Sequence, residues 1–549
     1  MVKLWLGSRS RDLRLVKWKS ALLRACLVLM AQALPAAPLP LTGSKPCAQC
    51  HATIYRKYST SPMALTSGIT DSAAVPLQTF EANSGYRYSI AADGRKLILN
   101  FKKKDAKTAE QRQLPYFIGS GAVARSYLMA VDGFLYEAPA TYYSGPAKWG
   151  PSPGYNRYAY PFLTRAIAPG CLQCHATGVQ AIAGTQNGYQ KSPWFEGGVG
   201  CESCHGPGAR HVATGKKADI VNPASLDAER RDSVCAQCHL SGEIRVERAG
   251  KSMTDFSAGA KLSDFAVAFV RQSSSPARKV TSHVENLAQS ACSKASEDRL
   301  WCGSCHDPHA TPGETEKVAW FRAKCHNCHE VGACNRGDNC VSCHMPRSPV
   351  SDADHVVYTD HSIPRRALQR NDRPDKTAPL LAFGKTLADA HDQGLAYAIV
   401  ALREQNTTYS DRAFDLLREA ERQTPGDPQT LSYLADLFKS RRIDPTAVRL
   451  YQRLYKIDPT QSSAPMNLGA YQMEQGNYTE AIRLFKEALR ISPALVLVRL
   501  NLAVALERTG KIDEARTVLN KALEFNPSSV EARQMLHRLK RPQASDTEP

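Results

Sequence analysis

The motif Cys-x-x-Cys-His occurs seven times in this 549-residue chain, and every other reading has to accommodate it. The sites are Cys47/Cys50/His51, Cys171/Cys174/His175, Cys201/Cys204/His205, Cys235/Cys238/His239, Cys302/Cys305/His306, Cys325/Cys328/His329 and Cys340/Cys343/His344. Two thiols three residues apart, followed at once by an imidazole, form the attachment signature of a c-type haem. The thiols add to the two vinyl groups as thioethers, and the histidine turns beneath the iron as its proximal ligand. Random placement of 17 cysteines and 15 histidines gives about 0.01 such matches. Zinc ribbons also use C-x-x-C knuckles, but they pair them, and seven do not pair evenly. A disulfide framework leaves the seven histidines without a purpose. The expected cofactor is therefore haem c, seven copies, covalently held and carrying iron.

Haem iron takes a second axial ligand that tunes its potential and reactivity. Eight histidines remain after the proximal seven. His391 and His537 fall in a helical repeat region and read as surface or packing residues. His326 sits inside an attachment loop, too constrained to reach its own iron. The distal candidates are then His211, His283, His309, His355 and His361. His309 lies in Cys-His-Asp-Pro-His, a turn whose proline holds it toward a neighbouring haem. Met63, in Ser-Pro-Met, is a candidate for the first haem. Six candidates serve seven irons, so either one iron is open to a small ligand or a discounted residue fills the gap.

Several strings resemble the multihaem cytochrome superfamily that includes the tetrahaem cytochrome c of nitrification, hydroxylamine oxidoreductase and pentahaem nitrite reductase. They are Cys-Glu-Ser-Cys-His-Gly-Pro-Gly-Ala-Arg-His (201–211), Cys-Gly-Ser-Cys-His-Asp-Pro-His (302–309), Cys-Val-Ser-Cys-His-Met-Pro (340–346) and Thr-Asp-His-Ser-Ile-Pro (359–364). The resemblance covers roughly residues 45–365. It implies that His211, His283, His309, His355 and His361 stand where family distal ligands sit, with haems packed closely enough for rapid electron tunnelling. The lysine-ligated motif of the nitrite reductases is absent, so no named enzymatic reaction follows.

The expected fold class is mainly α: a multihaem cytochrome c domain at 38–370, then an α-α tetratricopeptide-repeat solenoid at 390–541. A small β-hairpin insert is expected at about 76–145, where Asp93-Gly94 and Asp132-Gly133 each separate two alternating runs. Covering the first haem is its plain role; a substrate channel is the other. Prolines at 425, 459, 493 and 527 and alanines at 413, 447, 481 and 515 recur every 34 residues, the tetratricopeptide period. Four repeats follow. Residues 371–389 read as a linker and 542–549 as a disordered tail. Such solenoids present a concave groove to partners; packing on the cytochrome or homo-oligomerisation is the alternative.

Residues 1–37 read as a signal peptide, with a basic start and a short apolar run from Ala25 to Leu34. Export to the periplasm or beyond follows, and Cys292 and Cys334 could then form a disulfide or remain free thiols. The formal charge is +18, and two propionates per haem would add about −14. The basic excess therefore reads as counter-charge to cofactors and not as a nucleic-acid footprint. Two functions follow. One is electron transfer along a chain of haems, with the repeats docking a redox protein, either free or within a membrane-associated complex. The other is a multihaem oxidoreductase acting on nitrite, hydroxylamine or tetrathionate at a five-coordinate haem.

Overall fold

The computed structural model describes residues 40–104, 109–155, 163–272, 278–330, 332, 337, 339–350, 356–365 and 375–540. The expected signal peptide, Cys26, Cys334, His355 and the tail lie outside the described residues.

The insert is larger than the hairpin pair the sequence suggests. Nine strands build it: β1 (Ser67–Ile69), β2 (Thr79–Glu81), β3 (Tyr86–Asp93), β4 (Lys96–Lys103), β5 (Glu110–Gln113), β6 (Tyr116–Ile118), β7 (Ala124–Val131), β8 (Phe134–Tyr143) and β9 (Lys148–Pro151). They form two sheets, ordered β1-β6-β7-β8-β9 and β2-β3-β4-β5. Both expected hairpins are present, with Asp93 opposite Lys96 and Val131 opposite Phe134. The second turn has positive φ at both central residues, Asp132 (52°) and Gly133 (82°). That is the mirror-image turn whose twist matches the strands it joins, and Asp-Gly supplies it at low cost. Inward-facing Tyr86, Tyr88, Leu97, Leu99, Phe101, Tyr127 and Tyr136 form one core.

Seven further strands make three small sheets: β10 (Ala176–Ala181) with β11 (Tyr189–Gly197), β12 (Ile244–Glu247) with β13 (Ala266–Arg271) and β16 (Leu380–Ala382), and β14 (Arg347–Pro349) with β15 (Val357–Thr359). The mainly α expectation is therefore met only in part. The C-terminal part of the chain is helical, and its N-terminal part interleaves short helices with sheets. Short runs between attachment motifs carry no helical period, and edge-to-edge pairing is how such runs satisfy their backbone groups.

The C-terminal part is four antiparallel helical pairs and a closing helix: α1 (Ala390–Glu404), α2 (Thr407–Gln423), α3 (Pro428–Ser440), α4 (Asp444–Ile457), α5 (Ser463–Glu474), α6 (Tyr478–Ile491), α7 (Val496–Arg508), α8 (Ile512–Phe525) and α9 (Val530–Lys540). The 34-residue period has a direct physical reading. Thr424, Asp458, Ser492 and Asn526 each precede a repeat proline, and each sits at φ −133° to −138°, ψ 81° to 89°. A proline ring pushes its predecessor out of the α region, so each second helix stops at the same register. Ala413, Ala447, Ala481 and Ala515 are buried to within 2%, where a larger side chain would hold the paired helices apart.

The described part of the expected linker is no free tether. Leu380–Ala382 pairs antiparallel with β13, and Val246, Val267, Phe269 and Leu380 share one core with Leu395, Val400 and Leu417 of the first repeat. Buried Arg271 locks that junction. It contacts Glu243 (3.1 Å), Glu404, the Tyr409 hydroxyl (3.1 Å) and the Asp375 carbonyl (3.0 Å). The far end of the array is anchored as well. Phe525 and Ala494 complete the core of the insert, the Leu163 and Gln186 amides donate to the carbonyls of Phe525 and Ile491, and Lys521 pairs with Asp132 at 2.8 Å. The solenoid is thus fixed to the rest of the chain at both ends.

Candidate functional site

Each Cys-x-x-Cys-His string occupies about one helical turn. Cys201–His205, Cys302–Cys305 and Cys340–His344 are isolated turns, and the fourth motif ends the helix Ala228–His239. A turn of 3.6 residues puts both thiols on one side. The amides of His51, His306 and His329 donate back to the first cysteine's carbonyl at 2.9–3.0 Å. The turn thereby closes on the imidazole.

All seven motif histidines line a single cavity of about 2980 Å³. Ordinary ligand pockets hold roughly 300–1,000 Å³, so this space suits several large apolar groups and not one. The motifs also adjoin one another. The thiols of Cys47 and Cys201 are neighbours, as are those of Cys174 and Cys238, Cys235 and Cys302, and Cys325 and Cys340. Among the described residues the one gathering of three or more candidate metal ligands within 4.8 Å is Asp389, His391 and Asp392. No cluster of motif cysteines converges on a common point, as a zinc ribbon requires.

The motif cysteines are not equally placed around that cavity. Eleven of the fourteen line it; Cys50, Cys171 and Cys343 do not, and all three are exposed. Cys343 departs furthest from the expected geometry. Its sulfur lies 3.8 Å from the Ser342 hydroxyl, on the solvent side of the turn, while Cys340 and His344 of the same motif line the cavity. Residues three apart on a helix differ by about 60° in direction, so the two thiols of a motif point apart, and here Cys340 takes the cavity side.

Four of the six distal candidates face a motif histidine. The ring centres of His51 and His211 stand 6.4 Å apart with planes at 18°, those of His205 and His309 5.9 Å apart at 10°, and those of His306 and His361 6.2 Å apart at 27°. Two imidazoles that each place a nitrogen about 2 Å from a shared metal ion have centres roughly 6 Å apart. His239 and His283 are closer, at 5.0 Å, with rings crossed at 87°.

The outer nitrogens are occupied. The Nδ1–H groups of His205, His211, His344 and His361 donate to the carbonyls of Val221, Lys216, Pro364 and Thr359 at 2.7–3.0 Å. That fixes the tautomer and leaves the Nε2 lone pair free for a metal. Burial, reinforced by neighbouring imidazoles, pushes His283 down to about 3. Burial also brings His361 down to about 4 and lowers His175, His239 and His306. These rings are neutral at physiological pH, the form that binds iron. Volume, the placement of the eleven inward thiols, imidazole spacing and protonation all fit haem.

While His51 of the first motif faces His211, Met63 lines the same cavity. It lies on the turn leading to Thr66, whose hydroxyl shares a 2.8 Å hydrogen bond with His175 Nδ1. Among the described residues no histidine ring stands against His175, His329 or His344. His326 stays local, its Nδ1 turned to the His329 carbonyl. Cys292 is a free thiol beside Cys305. The insert covers the second motif instead of the first: Leu128 and Leu135 pack with Leu172 and Ala176, which flank Cys174 and His175.

Several supporting residues escape a reading based on ligand types. Buried Glu202 accepts from the amides of Thr42, Gly43 and Gly208 (2.6–3.0 Å), tying the approach to the first motif onto the third. Glu285 accepts from the Gly242 amide at 2.8 Å and so holds the helix of His283 against the fourth. The second residue of Cys-Glu-Ser-Cys-His was the available signal for Glu202; nothing local marks Glu285.

Family comparison agrees. The model described as cytochrome c554 and c-prime matches residues 159–206, and two tetratricopeptide-repeat models match 440–496 and 472–540. Multiheme cytochrome MtrA of Shewanella baltica is 29% identical over 35% of this chain and 57% of its own length. C-type polyheme cytochrome OmcB of Geobacter sulfurreducens is 43% identical over 13% of this chain and 9% of its own. These matches support a multihaem cytochrome carrying tetratricopeptide repeats. The multihaem relatives imply covalently bound c-type haem with iron. The cytochrome spans little more than half of MtrA and a small part of OmcB. Among solved structures, MamA is similar at 17% identity over 25% of this chain and 80% of that one, with a TM-score of 0.23. MamA from Desulfovibrio magneticus RS-1 gives 19%, 27%, 84% and 0.24. No described helix is long and apolar enough to cross a membrane.

Proposed function

We propose that this cytochrome is exported, binds one haem c at each of its seven motifs, and passes electrons between redox partners, one of them docked by the repeat array. The observation that carries the reading is the single cavity lined by all seven motif histidines. The fourteen motif cysteines would hold the macrocycles as thioethers, with Cys50, Cys171 and Cys343 bonding at exposed edges. His51, His175, His205, His239, His306, His329 and His344 would be proximal ligands. His211, His309, His283 and His361 would be distal ligands to the first, third, fourth and fifth sites. The bound group supplies reversible one-electron exchange at iron, at a potential set by its axial ligands. The chain's part is to keep successive motifs adjacent, exclude water with Leu128, Leu172 and Trp194, and hold the imidazoles of His205, His211, His344 and His361 by their Nδ1–H. Intact mass of holoprotein from a cytochrome-maturing host tests the count. Seven macrocycle increments are expected, and fewer would remove sites from the scheme.

A second reading, a multihaem oxidoreductase acting on a small nitrogen or sulfur compound, has one observation in its favour: among the described residues His175, His329 and His344 face no histidine. An iron at one of these sites that Met63 or another side chain does not cap would be open. A high-spin signal in the oxidised protein, carbon monoxide binding on reduction, and turnover of nitrite, hydroxylamine or tetrathionate would support it. Seven low-spin irons would remove it.

A further inference from the structure

We propose that the mouth of the first site, between residues 45–58 and 209–218, is the docking port for an acidic one-electron redox protein; this rests on the electron-transfer reading above. The port is built from two segments brought together by the His51–His211 pair. Together they carry Lys45, Arg56, Lys57, Arg210, Lys216 and Lys217 and no aspartate or glutamate. All six are exposed. The nearest acid, Asp219, is already taken by Arg210 (2.8 Å) and the Thr214 hydroxyl (2.6 Å). None of the other five cations has an ion pair among the described residues.

The surface is basic where the first site opens to solvent. Cys50 and His51 are both exposed. Exposed Ile54 and Val212 line the mouth of the cavity between the charges. Lys216 is not a remote decoration: its carbonyl receives the His211 Nδ1–H, so its side chain is mounted on the turn that holds the distal imidazole. The sixth motif gives the contrast. It is as exposed at Cys328 and His329, yet residues 311–330 carry three acids and three bases.

A small apolar centre rimmed by charge of one sign is the anatomy of a transient protein interface. An anionic bilayer is better met by a long polybasic run or an amphipathic helix, and neither segment is one. Two propionates at this site would offset about two charges and leave a positive excess. One electron crosses the interface in either direction, reducing one centre and oxidising the other, with no bond made or broken.

The test uses full-length holoprotein and stopped-flow reduction by two donors: an acidic flavodoxin in its hydroquinone form and photoreduced riboflavin, which is uncharged. Lys57→Glu/Lys216→Glu/Lys217→Glu keeps the Lys216 carbonyl. Lys102→Glu/Lys103→Glu/Lys104→Glu makes the same change in net charge on the β insert. Steering by clustered charge is worth about 10- to 1,000-fold in association rate. The port variant should therefore lose at least about tenfold of the flavodoxin rate, with the riboflavin rate unchanged. The insert variant should lose less than about twofold, and salt should erase the difference. Equal losses in both variants, or none in the port variant, would overturn the port. So would an unchanged flavodoxin rate coupled with loss of binding to phosphatidylglycerol vesicles, which would assign the patch to a membrane surface. Failure of riboflavin to reduce any haem would instead sink the electron-transfer reading itself.

Discussion

Replacing Arg271 by methionine should loosen the whole repeat array from the cytochrome. The Arg271 side chain is 4% exposed and lies between Glu243 and Glu404, which are 11% and 13% exposed. Methionine keeps the length and apolar stem but leaves two buried carboxylates sharing Arg403, which touches both from a more exposed position. Lys279 and Arg403 still face Glu243, so Glu404 is the carboxylate that loses its buried partner, and breaking a buried pair in this way costs about 3–5 kcal/mol. For a unit of some 150 residues, each kcal/mol lowers the melting midpoint by about 2–4 °C. The helical signal at 222 nm should therefore melt roughly 10 °C earlier. Adding Glu404→Gln removes the orphan charge and should restore more than half the loss, because the cost lies in the unpaired ion and not in the missing contact. The pH dependence has a definite sign. Burial pushes Glu243 up, but Lys279, Arg403 and Arg271 together outweigh it and hold the carboxyl below its usual value. Its contribution is present above the unfolded carboxylate range and disappears as pH falls through the lower folded value. The methionine variant should lose its helices at a higher pH than the parent does. A midpoint shift under about 2 °C, or a further loss on adding Glu404→Gln, would show that the junction is hydrated and carries little.

His391 lies at the same junction between Asp392 and Asp427, each at 3.2 Å. Burial opposes its charge, but the hydrogen bond to Asp392 and the ion pair with Asp427 win and lift it to about 9. Its stabilisation, at most about 3 kcal/mol, is complete below the unfolded value near 6.5 and is lost as pH rises through 9. Thermal midpoints should fall between pH 7 and 10, and His391→Gln should flatten that slope. Phe525→Ala removes the ring that packs edge-on to Tyr136 at 5.7 Å. It should cost about 3–5 kcal/mol, seen as faster amide exchange confined to the insert and last repeat. Gly198 sits at φ +77°, and a β-carbon there would meet the Ala64 carbonyl at 1.9 Å. Gly198→Ala should cost more than about 3 kcal/mol from strain and overlap combined, and it should lower haem incorporation measured by pyridine haemochrome.

What the sequence could reveal divides along physical lines. Attachment motifs and the 34-residue repeats are local: a thiol pair with its histidine needs one turn, and a proline every 34 residues ends a helix wherever it stands. Both were readable residue by residue. Which side of each thiol meets solvent was not, because Cys343 and Cys204 stand in the same motif and differ only in what packs over their turn. Distal candidates were readable as a set, because histidines are few, but their pairing depends on chain separated by up to 160 residues. Met63 shows the limit. Its string suited the first site, and nothing in it shows that His211 reaches His51 from the other side of two intervening motifs. The insert was underestimated for a similar reason. Asp-Gly turns announce β3–β4 and β7–β8, whereas β1, β6 and β9 are three or four residues long and form only against neighbours already in place. Residues 371–389 look like a tether because they are polar and proline-rich, and nothing in them reveals the edge of β13 that Leu380–Ala382 completes.

Anchoring the solenoid at both Arg271 and Phe525 turns a docking module into a jig. A protein held in the groove of a freely swinging arm samples many poses and gains local concentration in all of them. On a fixed mount it gains only in the pose the mount dictates, and gains nothing if that pose turns its redox centre away. Selectivity among partners would then be set by a template of angles and distances as much as by affinity for the groove.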